Sequence, residues 1–403
     1  MAFTGDSFAS TKTFEDEIAG IVRDRGIQGL NEYVTNELGK WKDIEINIAV
    51  TGSSGAGKSA FINAIRGLRP SDQEAAAEDV TQCTQKPTPY SHPRNTRLIL
   101  WDLPGVGTTE WKKSTYLDDM QFQKYDFFIV ISSHRFTEID SDLIQTIQTL
   151  DKPFFFVRAR IDQDLAGDKY CKGINYDEGT ILKRIRENCT RNLPPSIKLH
   201  TKRVYLINNH CTSSYDFEEL QRDLLEAAPK EKHDSLILSM SHESKNIIKE
   251  KVKTLNGRMF KVAIQATIAV AVPGANIVLN GNILLEEVQF YQQQLGLDEE
   301  SIQKTSKELD MTTDKMTKML NLKNEIFTVA SVLSFCENLI DASHSKIALL
   351  AKLFHEPADY VSNSFSCCWT ARDGLKAILS SMETNAVQIS EALVEHARGG
   401  TIL

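Results

Sequence analysis

Short apolar runs alternate with helical patterns through the first part of this chain, and helical patterns alone continue to its end. The apolar runs fall at residues 44–50, 98–102, 127–132, 154–158 and 204–208. Strands separated by helices predict a mostly parallel sheet covered on both faces, an α/β architecture with its ligand edge at the C-terminal strand ends. Ahead of the first run, Phe14, Ile18, Ile21, Val22, Leu30 and Val34 recur at helical spacing. They predict one or two amphipathic helices, with Thr13 as N-cap and Gly26 and Gly29 as interruptions. Residues 1–12 are small and polar and are expected to be mobile. A helix preceding the first strand must bury its apolar face somewhere, and the later helices are the expected place. After Pro229 helical periodicity takes over: 262–272 is the most apolar stretch, followed by Pro273-Gly274 and 277–285, a predicted hairpin. Residues 298–320 predict two short helices, and 326–353 and 374–396 two long ones. The pattern divides the chain into an N-terminal helical segment (1–42), an α/β domain (43–228) and a C-terminal helical domain (229–403).

Between the first strand and an apolar helix stands Gly52-Ser53-Ser54-Gly55-Ala56-Gly57-Lys58-Ser59, a G-x-x-x-x-G-K-S phosphate loop in its proper context. Glycines let the backbone curl so that successive N–H groups, from Gly52 through Ser54, Gly55, Ala56, Gly57 and on to Ala60, face phosphate oxygens. Lys58 is placed for the β- and γ-phosphates and the Ser59 hydroxyl for Mg²⁺. The next strand ends in Asp102-Leu103-Pro104-Gly105, where a carboxylate can hold the ion through water and the Gly105 N–H can face the γ-phosphate. Between them, residues 71–96 read as a polar loop. Thr81 or Thr84 can supply a hydroxyl to Mg²⁺ and an N–H to the γ-phosphate, and spacing does not choose between them. Thr84, with Lys58 and Gly105, is a catalytic candidate.

The base is read later. Arg158-Ala159-Arg160-Ile161-Asp162 follows the fourth run, and Asp162 can accept both N1–H and the exocyclic amine of guanine. Adenine lacks that donor pair and would leave the carboxylate unmatched, a discrimination of ~10³-fold or more. Guanine-binding chains usually show Asn/Thr-Lys-x-Asp, so Arg160 stands in the Lys place, where its planar fork can lie over the base. Asn208-Asn209-His210, after the last strand, offers backbone N–H groups for guanine O6. GTP or GDP with Mg²⁺ is therefore the expected ligand, an ATPase the weaker reading.

Composition changes this picture little. A 403-residue chain, 41% hydrophobic and 25% charged, has material for real cores. A net charge of −8 argues against nucleic acid as a partner. Seven cysteines lack metal-ligand spacing, and with no signal peptide pattern they are expected to be reduced thiols in the cytoplasm. Cys367-Cys368-Trp369 is a candidate palmitoylation site, while Ala2 at the second position removes a myristoylation signal. The 262–272 stretch is too short to span a bilayer, which needs ~20 residues, so any membrane contact is expected to be peripheral.

Trp101-Asp102-Leu103-Pro104-Gly105-Val106-Gly107, Tyr125-Asp126-Phe127-Phe128-Ile129-Val130-Ile131-Ser132 and Phe154-Phe155-Phe156-Val157-Arg158 together resemble the immunity-related GTPases, interferon-inducible, dynamin-like GTPases of cell-autonomous defence. The resemblance continues through Phe290-Tyr291 and Leu297-Asp298-Glu299-Glu300-Ser301-Ile302. It implies a Ras-like GTPase domain beside an all-helical domain built from both chain ends. The Lys at 58 places the chain with the Lys-type group, similar to effectors rather than regulators. Val106 occupies the place where Ras-like enzymes carry a water-positioning Gln, so a lone copy should hydrolyse slowly. The missing group could come from the γ-phosphate, the switch loop (Glu78, Asp79 or Gln82) or a second molecule. The resemblance favours the last, through dimers or oligomers formed face to face across the nucleotides on intracellular or pathogen-containing membranes. A nucleotide-switched scaffold with negligible turnover is the alternative.

Overall fold

A computed structural model describes residues 6–78, 86–105, 120–133, 136–193, 204–241, 244–268, 281–322, 327–337 and 358–397. The chain divides into two compact units, residues 41–250 with 389–403, and residues 1–40 with 251–388.

The first unit is built on a six-stranded sheet: β1 (Ile46–Gly52), β2 (Thr88–His92), β3 (Asn95–Asp102), β4 (Phe127–Ser132), β5 (Phe154–Arg158) and β6 (Val204–Leu206) in the order β2-β3-β1-β4-β5-β6. All pairs are parallel except β2–β3. β1, β4, β5 and β6 are buried along their whole length, as unbroken apolar runs between two helical layers require. On one face Phe128, Val130, Phe154 and Phe156 pack with Ile144, Ile147, Leu165, Ile181 and Cys189 from the helices Glu138–Gln148, Ile161–Lys172 and Glu178–Asn192. Elsewhere in the unit Phe61 and Phe217 join the helices Lys58–Arg66 and Phe217–Glu226, their ring centroids 6.1 Å apart. Register brings Val50 opposite Asp102, Gly52 opposite Ile131, Ser132 opposite Arg158 and Arg158 opposite Leu206. The strand ends therefore line up along one edge. The chain leaves β1 towards β2 and β3 on one side and leaves β3 towards β4 on the other, and at such a reversal α/β sheets bind their ligands.

The polar loop expected over 71–96 contains β2. Its residues alternate between partly buried and exposed, and Pro89 occupies an edge position where no N–H is needed by a neighbour. An edge strand with one apolar-leaning face carries too few hydrophobic residues to stand out by pattern. The last strand is shorter than expected, with Ile207 and Asn208 already in the loop beyond it.

In the second unit the first helix, Asp6–Asp43, starts earlier than expected, and Thr13 lies inside it rather than capping it. Gly26, at φ 68° and ψ −172°, breaks the helix, whereas Gly29 stays helical. Arg258, from the helix Lys245–Ile268, grips Glu287 of the helix Gly281–Leu295 through two bonds of 3.0 and 3.1 Å. Its remaining Nη1 donates to the Leu38 carbonyl at 2.9 Å. Lys261 adds an ion pair to Glu37 at 3.0 Å and Gln265 a bond to Thr35. The N-terminal helix is thus fastened along its last turns. Helices Glu299–Glu308 and Thr313–Met319 occupy the 298–320 region. The final helix runs from Ala358 to Ala397, far ahead of the expected start at Gly374, because Ala371, Leu375 and Ile378 carry one buried face across the glycine. Of the long helix expected over 326–353, Val329–Glu337 is described. The Pro273-Gly274 turn lies outside the described residues. Among those described, no helix is long and apolar enough to cross a membrane. Cys368 is buried against Thr267, Sγ to Oγ1 3.1 Å, which removes it as an acylation site in this conformation; the Cys367 side chain lies outside the described set.

Candidate nucleotide site

Gly52 closes β1 with φ 138° and presses on β4: a Cβ there would stand 2.0 Å from the Ile131 carbonyl oxygen. The chain then curls through Ser53–Gly57, with the Ala56 N–H donating to Ser53 O. Gly57, at φ 95°, caps the helix Lys58–Arg66. The helix starts at the loop, so its free N–H groups and the positive end of its dipole face the space the loop encloses. Lys58 is 7% exposed and folds back over the loop, its Nζ donating to Ser53 O at 3.2 Å. That bond is replaceable by phosphate oxygens at little cost. The neighbouring Ser54, Gly55, Ala56 and Ala60 complete the loop and first helical turn.

Ser59 Oγ, in the first turn of the helix Lys58–Arg66, donates to Asp102 Oδ2 at the end of β3 at 2.8 Å. A hydroxyl and a buried carboxylate are hard oxygen groups of the kind that hold Mg²⁺, directly or through water, with phosphate and further water completing its shell. The pair fits that ion. The chain beyond Asp102 stays against β1, with Leu103 N–H donating to Val50 O at 3.0 Å. Gly105 then lies on the phosphate loop so closely that a Cβ would meet Ser54 N at 2.8 Å and Ser54 Cα at 2.9 Å. Only glycine permits that approach. Thr81, Thr84, Asp79, Gln82 and Val106 all lie outside the described residues, so the choice between the two threonines stays open.

On the base side, Arg160 adopts φ 59° as the N-cap of the helix Ile161–Lys172. Its Nε stands 4.0 Å from where a Gly57 Cβ would be, which places the guanidinium beside the phosphate loop. Asp162 sits in the first turn of that helix, and its Oδ1 is buried with no hydrogen-bond partner. A buried, unmatched carboxylate oxygen is costly unless a ligand donor completes it. Arg158 anchors the same turn by an ion pair to Asp164 at 2.6 Å. Asn208 Oδ1 accepts the His210 N–H at 3.0 Å, and Asn209 Nδ2 reaches Gly57 O at 3.1 Å. The structure therefore brings Gly52, Lys58, Ser59, Asp102, Gly105, Arg160, Asp162 and Asn209 to one edge.

Two residues not foreseen hold the chain that leads towards Thr81. Asn63 is 1% exposed; its carboxamide bonds both backbone groups of Ala76, at 2.7 and 2.9 Å, and donates to Glu78 Oε1 at 2.8 Å. Arg66 donates to Glu74 O at 2.8 Å and to Ser91 O at 3.0 Å and lies over the Tyr90 ring. The available signal was an Asn in the middle of an apolar helix, Phe61-Ile62-Asn63-Ala64-Ile65. Burial, and secondarily the Asp102 carboxylate, raises the Tyr90 hydroxyl above its ordinary value, against the opposing Arg66 charge. Burial likewise raises the Asp140 carboxyl, which closes a capping box with Thr137 beside the strand ends.

The profile of a family described as interferon-inducible GTPase (IIGP) matches residues 11–389. Interferon-gamma-inducible GTPase 10 of Mus musculus is 33% identical over 78% of this chain and 75% of that protein. Interferon-inducible GTPase 1 of Mus musculus is 30% identical over 77% of this chain and 76% of that protein. A solved probable GTP-binding protein, engB, aligns over 45% of this chain and 97% of its own at 16% identity, with a TM-score of 0.30, too slight a likeness to argue from.

Proposed function

This chain belongs to the interferon-inducible, immunity-related GTPases, and from that premise we propose that its GTP-bound form assembles with a second copy to complete hydrolysis. It is a GTPase by family, and the unmatched Asp162 Oδ1 in the turn after β5 is the observation that carries guanine as the base. Lys58 exchanges the Ser53 carbonyl for β- and γ-phosphate oxygens, and the Gly105 N–H holds the γ-phosphate. Ser59, Asp102 and one switch threonine, Thr81 or Thr84, would hold Mg²⁺, which when bound neutralises charge developing on the phosphoryl oxygens. Water attacks the γ-phosphorus in line, the bond to the β-phosphate oxygen breaks, and GDP and phosphate leave. Arg160 covers the base and Asp162 reads its edge, while the Asn208–Asn209 loop offers N–H groups to O6.

The assembly part rests on Val106, an apolar residue where a water-orienting Gln would otherwise stand. A second copy approaching through its GTPase domain (43–228) supplies the missing polar group, and the helical parts (1–42 and 229–403) make peripheral contact with an intracellular membrane. GTP turnover per molecule, measured over a hundredfold range of protein concentration with Lys58→Ala as the inactive control, tests this. Turnover should rise with concentration; a flat profile sinks trans-activation. The same Val106 favours a second reading, a nucleotide-switched scaffold. Phosphate release no faster than the spontaneous decay of GTP, alongside tight binding, would select it.

A further inference from the structure

Three loops meet at the nucleotide edge, each from a different strand: the phosphate loop after β1, the base-reading turn after β5 and the loop after β6. The last two are stitched together by main chain. The Ile207 N–H donates to Arg158 O at 2.9 Å, and the Ile161 N–H donates to Ile207 O at 3.3 Å. These bonds make the base side one piece. The phosphate loop is joined to it through a side chain, Asn209, whose Nδ2 donates to Gly57 O at 3.1 Å. Gly57 is the N-cap of the helix that begins with Lys58 and Ser59, and its carbonyl also accepts the Phe61 N–H at 2.9 Å. Ala159, where guanine-binding chains usually carry Asn or Thr, is buried and has no polar group to reach across.

We propose that Asn209 is a positioning residue whose side chain sets the span between the base reader Asp162 and the phosphate loop. This inference rests on the guanine-nucleotide reading above and adds a role for the carboxamide that the backbone contact to O6 does not need. A nucleoside diphosphate is gripped at two ends, the base by Asp162 and the phosphates by Gly52–Ser59. Both grips are full only when the distance between them matches the ligand, which is preorganisation of a site by a strut. Removing the strut leaves Gly57 O bonded to Phe61, so the helix start survives. What changes is the freedom of one loop relative to the other, and the ligand must then restrict that freedom itself.

Release of a fluorescent GDP, followed by stopped flow on the full chain, tests the proposal. Asn209→Ala should release it about three- to tenfold faster, the loss of one neutral hydrogen bond. Asn209→Asp keeps the shape but sets an acceptor against the Gly57 carbonyl, and should be at least as fast. In both, the upward shift of the melting temperature given by GDP, taken relative to each variant's own nucleotide-free value, should shrink. Release within about twofold of the unsubstituted rate, less than the weakest such bond would give, overturns the proposal. So does a GDP-induced shift equal to the unsubstituted one with the whole loss in the nucleotide-free melting temperature, which would make Asn209 a stability residue. An equal acceleration in Ser213→Ala, whose side chain bonds only within its own loop, would also overturn it. The underlying guanine reading fails separately: the unsubstituted protein would then show no preference for fluorescent GDP over fluorescent ADP.

Discussion

Asp162 shows how much one atom can decide. Its Oδ1 is enclosed and unmatched, and guanine brings a donor pair to it while adenine brings none. Asp162→Asn reverses the requirement, since an amide must meet an acceptor on the base. The variant should lose ~10³-fold in GTP affinity and gain for xanthosine triphosphate, read by competition against a fluorescent nucleotide. Recovered GTP binding without a gain for the xanthosine nucleotide would remove Asp162 as the base reader. The phosphate loop, Asp102, Gly105 and Asp162 were legible in the sequence because each sits in a short motif at a strand end. Asn63 and Asn209 were not legible in their structural roles, since a single Asn bonding a distant carbonyl leaves no spacing to read. Their partners, Ala76 and Gly57, lie in other loops and are set by the fold.

At the scale of elements, the helical unit depends on the Arg258 clamp. Arg258 and Glu287 are both largely buried, and Arg258 also satisfies the last turns of the N-terminal helix at Leu38. Arg258→Met leaves a buried carboxylate alone and should cost about 3–5 kcal/mol in urea unfolding of that unit. Arg258→Met with Glu287→Leu should recover most of this loss; no recovery would mean the Leu38 bond, not the ion pair, carries the cost. Glu37 adds a pH dependence. Burial alone would raise its carboxyl, yet Lys40 and Lys261 bring it below its ordinary value. A depressed folded value means that its stabilisation is present above the ordinary carboxylate range and disappears as pH falls through the depressed value. Urea midpoints taken between pH 6 and pH 2 should therefore fall less in Glu37→Gln than in the unsubstituted protein; identical slopes would discard the ion pairs as stabilisers. Strands β1, β4 and β5 were evident from unbroken apolar runs. β2 escaped because an edge strand needs few hydrophobic residues, and the final helix was cut short because Gly374 reads locally as a boundary while its neighbours keep one buried face.

For the molecule as a whole, the proposed assembly should be visible apart from catalysis. With a non-hydrolysable GTP analogue the protein should sediment as dimers or larger species, with GDP as monomers, and Lys58→Ala should remain monomeric in both. Equal sedimentation with either nucleotide would break the link between the γ-phosphate and self-association. The Asn63 clasp bears on what such an assembly can achieve. Asn63 holds Ala76 and Glu78 from the helix that carries Ser59, and Thr88 lies in β2 opposite Asp102. Both anchors therefore belong to the elements that bring the Ser59 hydroxyl to the Asp102 carboxylate. A neighbour that displaces either anchor moves one half of that oxygen pair against the other. Docking that leaves both anchors in place can act on the nucleotide only by adding groups to it.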